Sequence, residues 1–189
     1  MSEVVVSPGA ARARRFSRWA LPVALALGLS LQSYESAWEW WRSRELFGQE
    51  VPASAAANLG GADWKLVSLR RIAERPDGRA VMLLDLEAVV RDTEPFAVLP
   101  CKLVLEAPDG RRWSPQFLTP SEVNRLPERR GRTVPTCTQA LASKPAAGAT
   151  LRIGEGFVLP AAVVGQVRPV LSLPAGRPRY LRFQVPDQR

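Results

Sequence analysis

The chain has 189 residues and a formal charge of +8, and it contains no histidine. The missing histidine excludes Ser-His-Asp and Cys-His catalysis, every histidine metal ligand and the side chain most easily titrated near neutral pH. The length suits one modest domain with a shorter appendage.

The N-terminal segment sets the expected location. Arg12, Arg14, Arg15 and Arg18 precede an apolar run that no charge interrupts before Glu35. A run of about 16 residues makes a helix of about 24 Å, against a hydrocarbon core of about 30 Å. Snorkelling of Arg18 and the polar Gln32, Ser33 and Tyr34 narrow that gap. Trp38, Trp40 and Trp41 follow, as aromatic residues do at a membrane interface. A cleaved signal peptide and a soluble helix are the competing readings. The bulky sequence after Leu31 lacks the small residues of a cleavage site, and no cysteine precedes Cys101 to take a lipid. The reading adopted is an uncleaved signal anchor, with its arginines on the cytoplasmic side. It divides the chain into a cytoplasmic basic tail (1–17), a transmembrane anchor (18–35), a juxtamembrane helix and linker (36–60) and an extracytoplasmic domain (61–189). The expected location is the bacterial cytoplasmic membrane, single-pass, with the C-terminal domain outside.

From residue 61 the pattern becomes that of strands. Trp64–Ile72 reads as the first. In the next, 79–90, Met82, Leu84, Leu86, Ala88 and Val90 share one face, with Asp85 and Glu87 on the other. Pro-Asp-Gly sequences at 76–78 and 108–110 are turn signals, and the second joins 101–106 to 111–117 as a hairpin. Residues 118–148 carry four prolines and no sustained period, and read as a long crossing loop with one short helical turn from Ser121. The stretches 149–153, 156–159, 167–173 and 180–185 close the set. Seven or eight short strands without intervening helices indicate a mainly β fold, an antiparallel sandwich of immunoglobulin-like type. Cys101 and Cys137, outside the cytoplasm, are expected to form a disulfide; two buried free thiols are the alternative.

Three motifs carry a resemblance. They are Gly61-Ala-Asp-Trp64 opening a strand, the Leu103–Trp113 hairpin with its Asp-Gly-Arg turn, and the Gly154–Pro160 stretch with Gly-Phe-Val-Leu-Pro. In these the chain resembles bacterial extracytoplasmic immunoglobulin-like domains of unknown function, found on lipoproteins and single-pass proteins. The resemblance spans about residues 61–185. It implies a fold and a location and supplies no catalytic residue. The absent lipid-attachment cysteine and the long 118–148 loop depart from it.

Candidate chemistry is sparse. Asp85 and Glu87 share a strand face, and a glycosidase needs two acids about 5–9 Å apart across a cleft. Asp92, Glu94 and Ser121-Glu122 are the other acid–base candidates. Solvated positions on a sheet or loop account for all of them. Asp109-Gly110 lacks the Asp-rich loop of a calcium site, and Gly154 and Gly156 read as a turn or bulge. No catalytic residue, metal or cofactor is expected. Arg125, Arg129, Arg130 and Arg132 form a basic run suited to an anionic surface. Trp64 and Trp113 read as core. The expected role is a non-enzymatic binding or assembly module, whose partner is an envelope protein, anionic lipid or anionic polymer and not nucleic acid. An envelope hydrolase with a carboxylate site is the alternative.

Overall fold

The computed structural model describes residues 20, 22–30, 34, 36–41, 43–129 and 134–185. The chain divides into two compact units, Met1–Ser43 and Arg44–Arg189. In the first, residues 22–30 and 36–41 are helical and largely exposed. Tyr34 stacks on Trp38 with ring centroids 6.4 Å apart, and Trp38 on Trp41 at 5.3 Å. These pairs have the i,i+4 and i,i+3 spacing that brings side chains together on a helix. Among the described residues no helix is long and apolar enough to cross a membrane. The four N-terminal arginines and both ends of the expected 18–35 span lie outside the described residues.

The second unit is a mainly β fold of two sheets. Its strands are β1 (Phe47–Val51), β2 (Ala56–Leu59), β3 (Ala62–Glu74), β4 (Arg79–Val90), β5 (Lys102–Glu106), β6 (Arg112–Trp113), β7 (Thr150–Pro160), β8 (Arg168–Ser172) and β9 (Arg179–Phe183). One sheet runs β1-β9-β8-β5-β6 and the other β2-β3-β4-β7. All neighbours are antiparallel except β1 and β9, which are parallel. Three short helices lie in the connections, α1 (Thr93–Phe96), α2 (Ser121–Asn124) and α3 (Cys137–Ala142).

The inward face of β4 is the one its alternation marks: Met82, Leu84, Leu86, Ala88 and Val90 are all buried. In β3 the alternation is broken by a register shift between Leu66 and Ser68, which returns Leu69 to the core three residues after Leu66. Trp64 is wholly buried, donates its indole N–H to the Leu59 carbonyl at 3.0 Å and stacks on Phe96. The core reading of Trp64 therefore stands, and Trp113 packs partly buried against the same cluster. In each Pro-Asp-Gly turn the aspartate accepts the backbone N–H two residues on, Asp77 from Arg79 and Asp109 from Arg111, both at 3.1 Å.

Three features differ from the sequence reading. Within residues 36–60, read as juxtamembrane helix and linker, Phe47–Val51 and Ala56–Leu59 are the strands β1 and β2. The link between β2 and β3 is Gly60-Gly61, with φ of +55° and +83°. Positive φ at both central residues is what a two-residue type I′ hairpin demands, and glycine meets it without strain. The stretches 149–153 and 156–159 are one strand, β7, so Gly154 and Gly156 make neither turn nor break. The 118–148 connection also holds α3, which begins at a capping box. Thr136 accepts the Gln139 N–H, and the Gln139 side chain accepts the Thr136 N–H.

Candidate functional site

The connection from β6 to β7 builds both candidate sites, one on each face of the four-stranded sheet. On the outer face, Val123 of α2 and the following Leu126 cover Val81 and Leu83. Gly154 and Gly156 also point to this face. A Cβ on Gly154 would fall on the Arg129 guanidinium, and one on Gly156 would come within 2.6 Å of Pro120 Cδ. The glycines are there because other chain lies against them.

Arg129 meets Asp85 in this cover. Its Nη2 lies 2.6 Å from Asp85 Oδ1, and its side chain is only 10% exposed. Ser68 donates to the other Asp85 oxygen at 3.0 Å. Arg70 bonds Glu128 at 2.6 Å beside the pair. Asp85 is thus closed by a cation and a hydroxyl, while Glu87 stands in register between Lys65 and Arg152. Two of the other acids, Asp92 and Glu122, are likewise engaged. Asp92 caps α1 by accepting the Glu94 N–H at 3.1 Å. Glu122 takes a two-pronged bond from Arg75, at 2.9 and 3.2 Å, which pulls its carboxyl down to about 2. Of the basic run, Arg129 is committed to Asp85, Arg125 is exposed, and Arg130 and Arg132 lie outside the described residues.

The inner face holds the feature that the sequence reading missed. Along β7 the inward positions are Leu151, Ile153, Glu155, Phe157 and Leu159, so a carboxylate occupies a core position. Glu155 is 7% exposed. Burial pushes its carboxyl up from the ordinary value, and one hydrogen bond, from the Cys137 N–H at 2.8 Å, partly opposes the shift. Among the described residues no cation pairs with it. The signal was an acid in step with four apolar residues two apart.

Glu155 opens onto a cavity of about 770 Å³, bounded by the start of β5, residues 114–118, α3 and Arg177. The wall is made rigid by the Cys101–Cys137 disulfide, with Cα atoms 5.8 Å apart. Its mouth carries Phe117, which is 100% exposed, and Leu118, at 76%. The buried Nε of Arg177 has no hydrogen-bond partner among the described residues. A largely apolar hollow that holds a buried acid and an unsatisfied donor has the make-up of a binding site. Among the described residues no group of three His, Cys, Asp or Glu is placed to hold a metal ion.

The outer face of the five-stranded sheet shows the opposite condition. Its charges form one alternating series: Lys102, Glu45, Arg112, Glu106, Arg182, Glu50 and Arg168. Burial alone would raise the Glu45 carboxyl, but bonds from Lys102 and Arg112 outweigh it and hold it below the usual range. A hollow of about 240 Å³ lies over Glu106 and Arg182, which already satisfy each other.

No protein-family model matches the chain, and no curated protein matches it. Among solved structures, the chain is similar to a conserved hypothetical protein from Bacillus anthracis, at 8% identity and a TM-score of 0.45, over 69% of this chain and 93% of that one. It is also similar to an uncharacterised β-sandwich protein from Clostridium difficile, at 8% identity and a TM-score of 0.40, over 74% and 97%.

Proposed function

We propose that the chain is a single-pass protein of the bacterial cytoplasmic membrane whose C-terminal sandwich is a non-enzymatic binding or assembly module outside the cytoplasm. The observation that carries the binding role is Glu155, a buried carboxylate without a counter-cation, facing a cavity with two exposed apolar side chains at its mouth. A buried charge is costly, and a site that meets a ligand is where that cost has a use. An immunoglobulin-like topology is supported by the strand order. β3-β4-β7 and β9-β8-β5-β6 follow the A-B-E and G-F-C-C′ sequences of such sandwiches, and the 114–149 connection stands where strand D would be. The anchor rests on the arginine flank, the apolar run and the tryptophans after it.

The binding role is tested by a photo-crosslinking residue in place of Phe117, with one in place of the exposed Val67 as control. Irradiated membranes should give a discrete adduct from position 117 and none from position 67; equal labelling from both overturns the reading. The purified chain should turn over no cell-wall substrate. Saturable hydrolysis that disappears with Asp85→Ala or Glu87→Ala would establish the hydrolase instead. The topology is tested by fusing alkaline phosphatase after residue 185. The fusion should be active, and an inactive fusion would put the domain in the cytoplasm.

A further inference from the structure

We infer that the cavity takes an extended peptide segment, which adds as a strand to the open edge of β5 and sets a lysine or arginine side chain against Glu155. The inference rests on the binding role proposed above and names its ligand class.

Four observations converge on it. The first is the edge. β6 runs beside only Leu105 and Glu106, so Lys102, Leu103 and Val104 have no strand on that side among the described residues. The Ala107 N–H donates to the Arg111 carbonyl at 2.9 Å. The odd-numbered residues of β5 therefore turn their backbone groups toward β6, and by alternation Leu103 turns its N–H and carbonyl to the side that β6 has left. Pro169 opposite Leu105 agrees, because a residue without an N–H fits the non-bonded position of the β5–β8 ladder. Beyond Trp113 the chain leaves β5, and Gln116 N–H bonds the Gly156 carbonyl of β7 at 2.8 Å. That departure opens the cavity between the two edges.

The second observation is charge. Glu155 lines the same cavity as Leu103 and lacks a cation. A lysine or arginine of the incoming strand supplies one, and each such group sits next but one to a side chain on the same face. The third is Arg177, which lines the cavity and whose buried Nε is a donor with no acceptor among the described residues. The fourth is the apolar mouth of Phe117 and Leu118, which meets side chains two residues from the cation. Main-chain bonds along a sheet edge, with pockets for alternate side chains, are the general mode of strand addition. A small amine meets only the second observation, and an acidic surface is repelled by it.

The test pans a phage-displayed library of random peptides, about nine residues long, against the full chain in detergent micelles. Enriched sequences should carry one lysine or arginine with apolar residues two positions away. A fluorescein-labelled synthetic consensus should bind. It should weaken on the order of tenfold or more with Glu155→Gln, and equally when its cation is replaced by norleucine. N-methylation of its backbone at one parity should abolish binding, while the other parity leaves it intact. The Glu155→Gln chain must keep its disulfide and melt no lower than the parent chain, so that the loss reports the site. Enrichment of acidic peptides, indifference to N-methylation, or n-hexylamine binding as tightly as the peptide would each overturn strand addition. If no peptide is enriched while the position-117 crosslink persists, this inference falls and the binding role stands. If the crosslink is absent too, both fall.

Discussion

Asp85 and Glu155 are near neighbours across the β4–β7 ladder, where Asp85 stands opposite Gly154 and Leu84 opposite Glu155. Yet they point to opposite faces and meet opposite treatment. Asp85 has a buried arginine and a serine hydroxyl, and the chain that brings them closes over it. Glu155 has one backbone N–H and an open cavity. The same kind of group is completed on one side and left incomplete on the other. An acid in a patterned position is thus not a functional sign in itself. What matters is whether the fold supplies its partner.

The largest expected change comes from the disulfide, which fixes the wall on the Glu155 side. Replacing Cys101 and Cys137 with serine should lower stability by about 3–4 kcal/mol, from the entropy of the loop it closes. Denaturant unfolding measures the loss. Hydrogen exchange should show it first in α3, and equal loosening around Asp85 would mean that the two sides are not separable. Next, Arg129→Ala should cost about 2 kcal/mol, because it leaves Asp85 partly covered without its cation. A loss below a few tenths of that would make the pair an ordinary surface contact.

Glu155→Gln should have the opposite sign, raising the melting midpoint at neutral pH by about 1–3 °C. The folded-state value of Glu155 lies above its unfolded value. The native state therefore holds this proton more tightly, and stability is full at low pH and declines as pH rises through the folded value. The variant should lack that decline. A destabilised Gln variant would mean that the carboxylate is needed by the fold. The smallest effect is at Glu122, whose folded value is lowered from 4.5 to about 2. Its contribution is present above 4.5 and fades as pH falls toward 2. Glu122→Gln should remove that acid-side slope, as seen in melts across this range.

Much of the sandwich was legible because its signals are local. The period-two pattern of β4 and the two Pro-Asp-Gly turns need only nearest neighbours, as does the helical turn at Ser121. The disulfide was expected from two cysteines together with the proposed exported setting. The strands β1 and β2 escaped because Phe47–Val51 and Ala56–Leu59 are short, the second is rich in small residues, and both are held by pairing with β9 and β3. Gly60-Gly61 and Thr136-Cys-Thr-Gln139 were readable as a hairpin and a capping box, and flanking linker-like composition hid them. Gly154 and Gly156 could not be read locally at all. Their reason is Arg129 and Pro120, about 25 to 36 residues upstream, across a loop whose course only the fold determines. Glu155 was visible by parity once 149–160 is one strand, and invisible when that stretch is split.

The parallel pairing of β1 with β9 has a mechanical consequence. Force entering the domain at Arg44 and leaving through the end of β9 pulls these strands past each other along their length. Their hydrogen bonds, together with the ion pairs of Glu45 and Glu50, are then loaded together in shear instead of peeling one after another. A tether attached at this strand can carry tension into the sandwich without first unzipping the edge of its sheet.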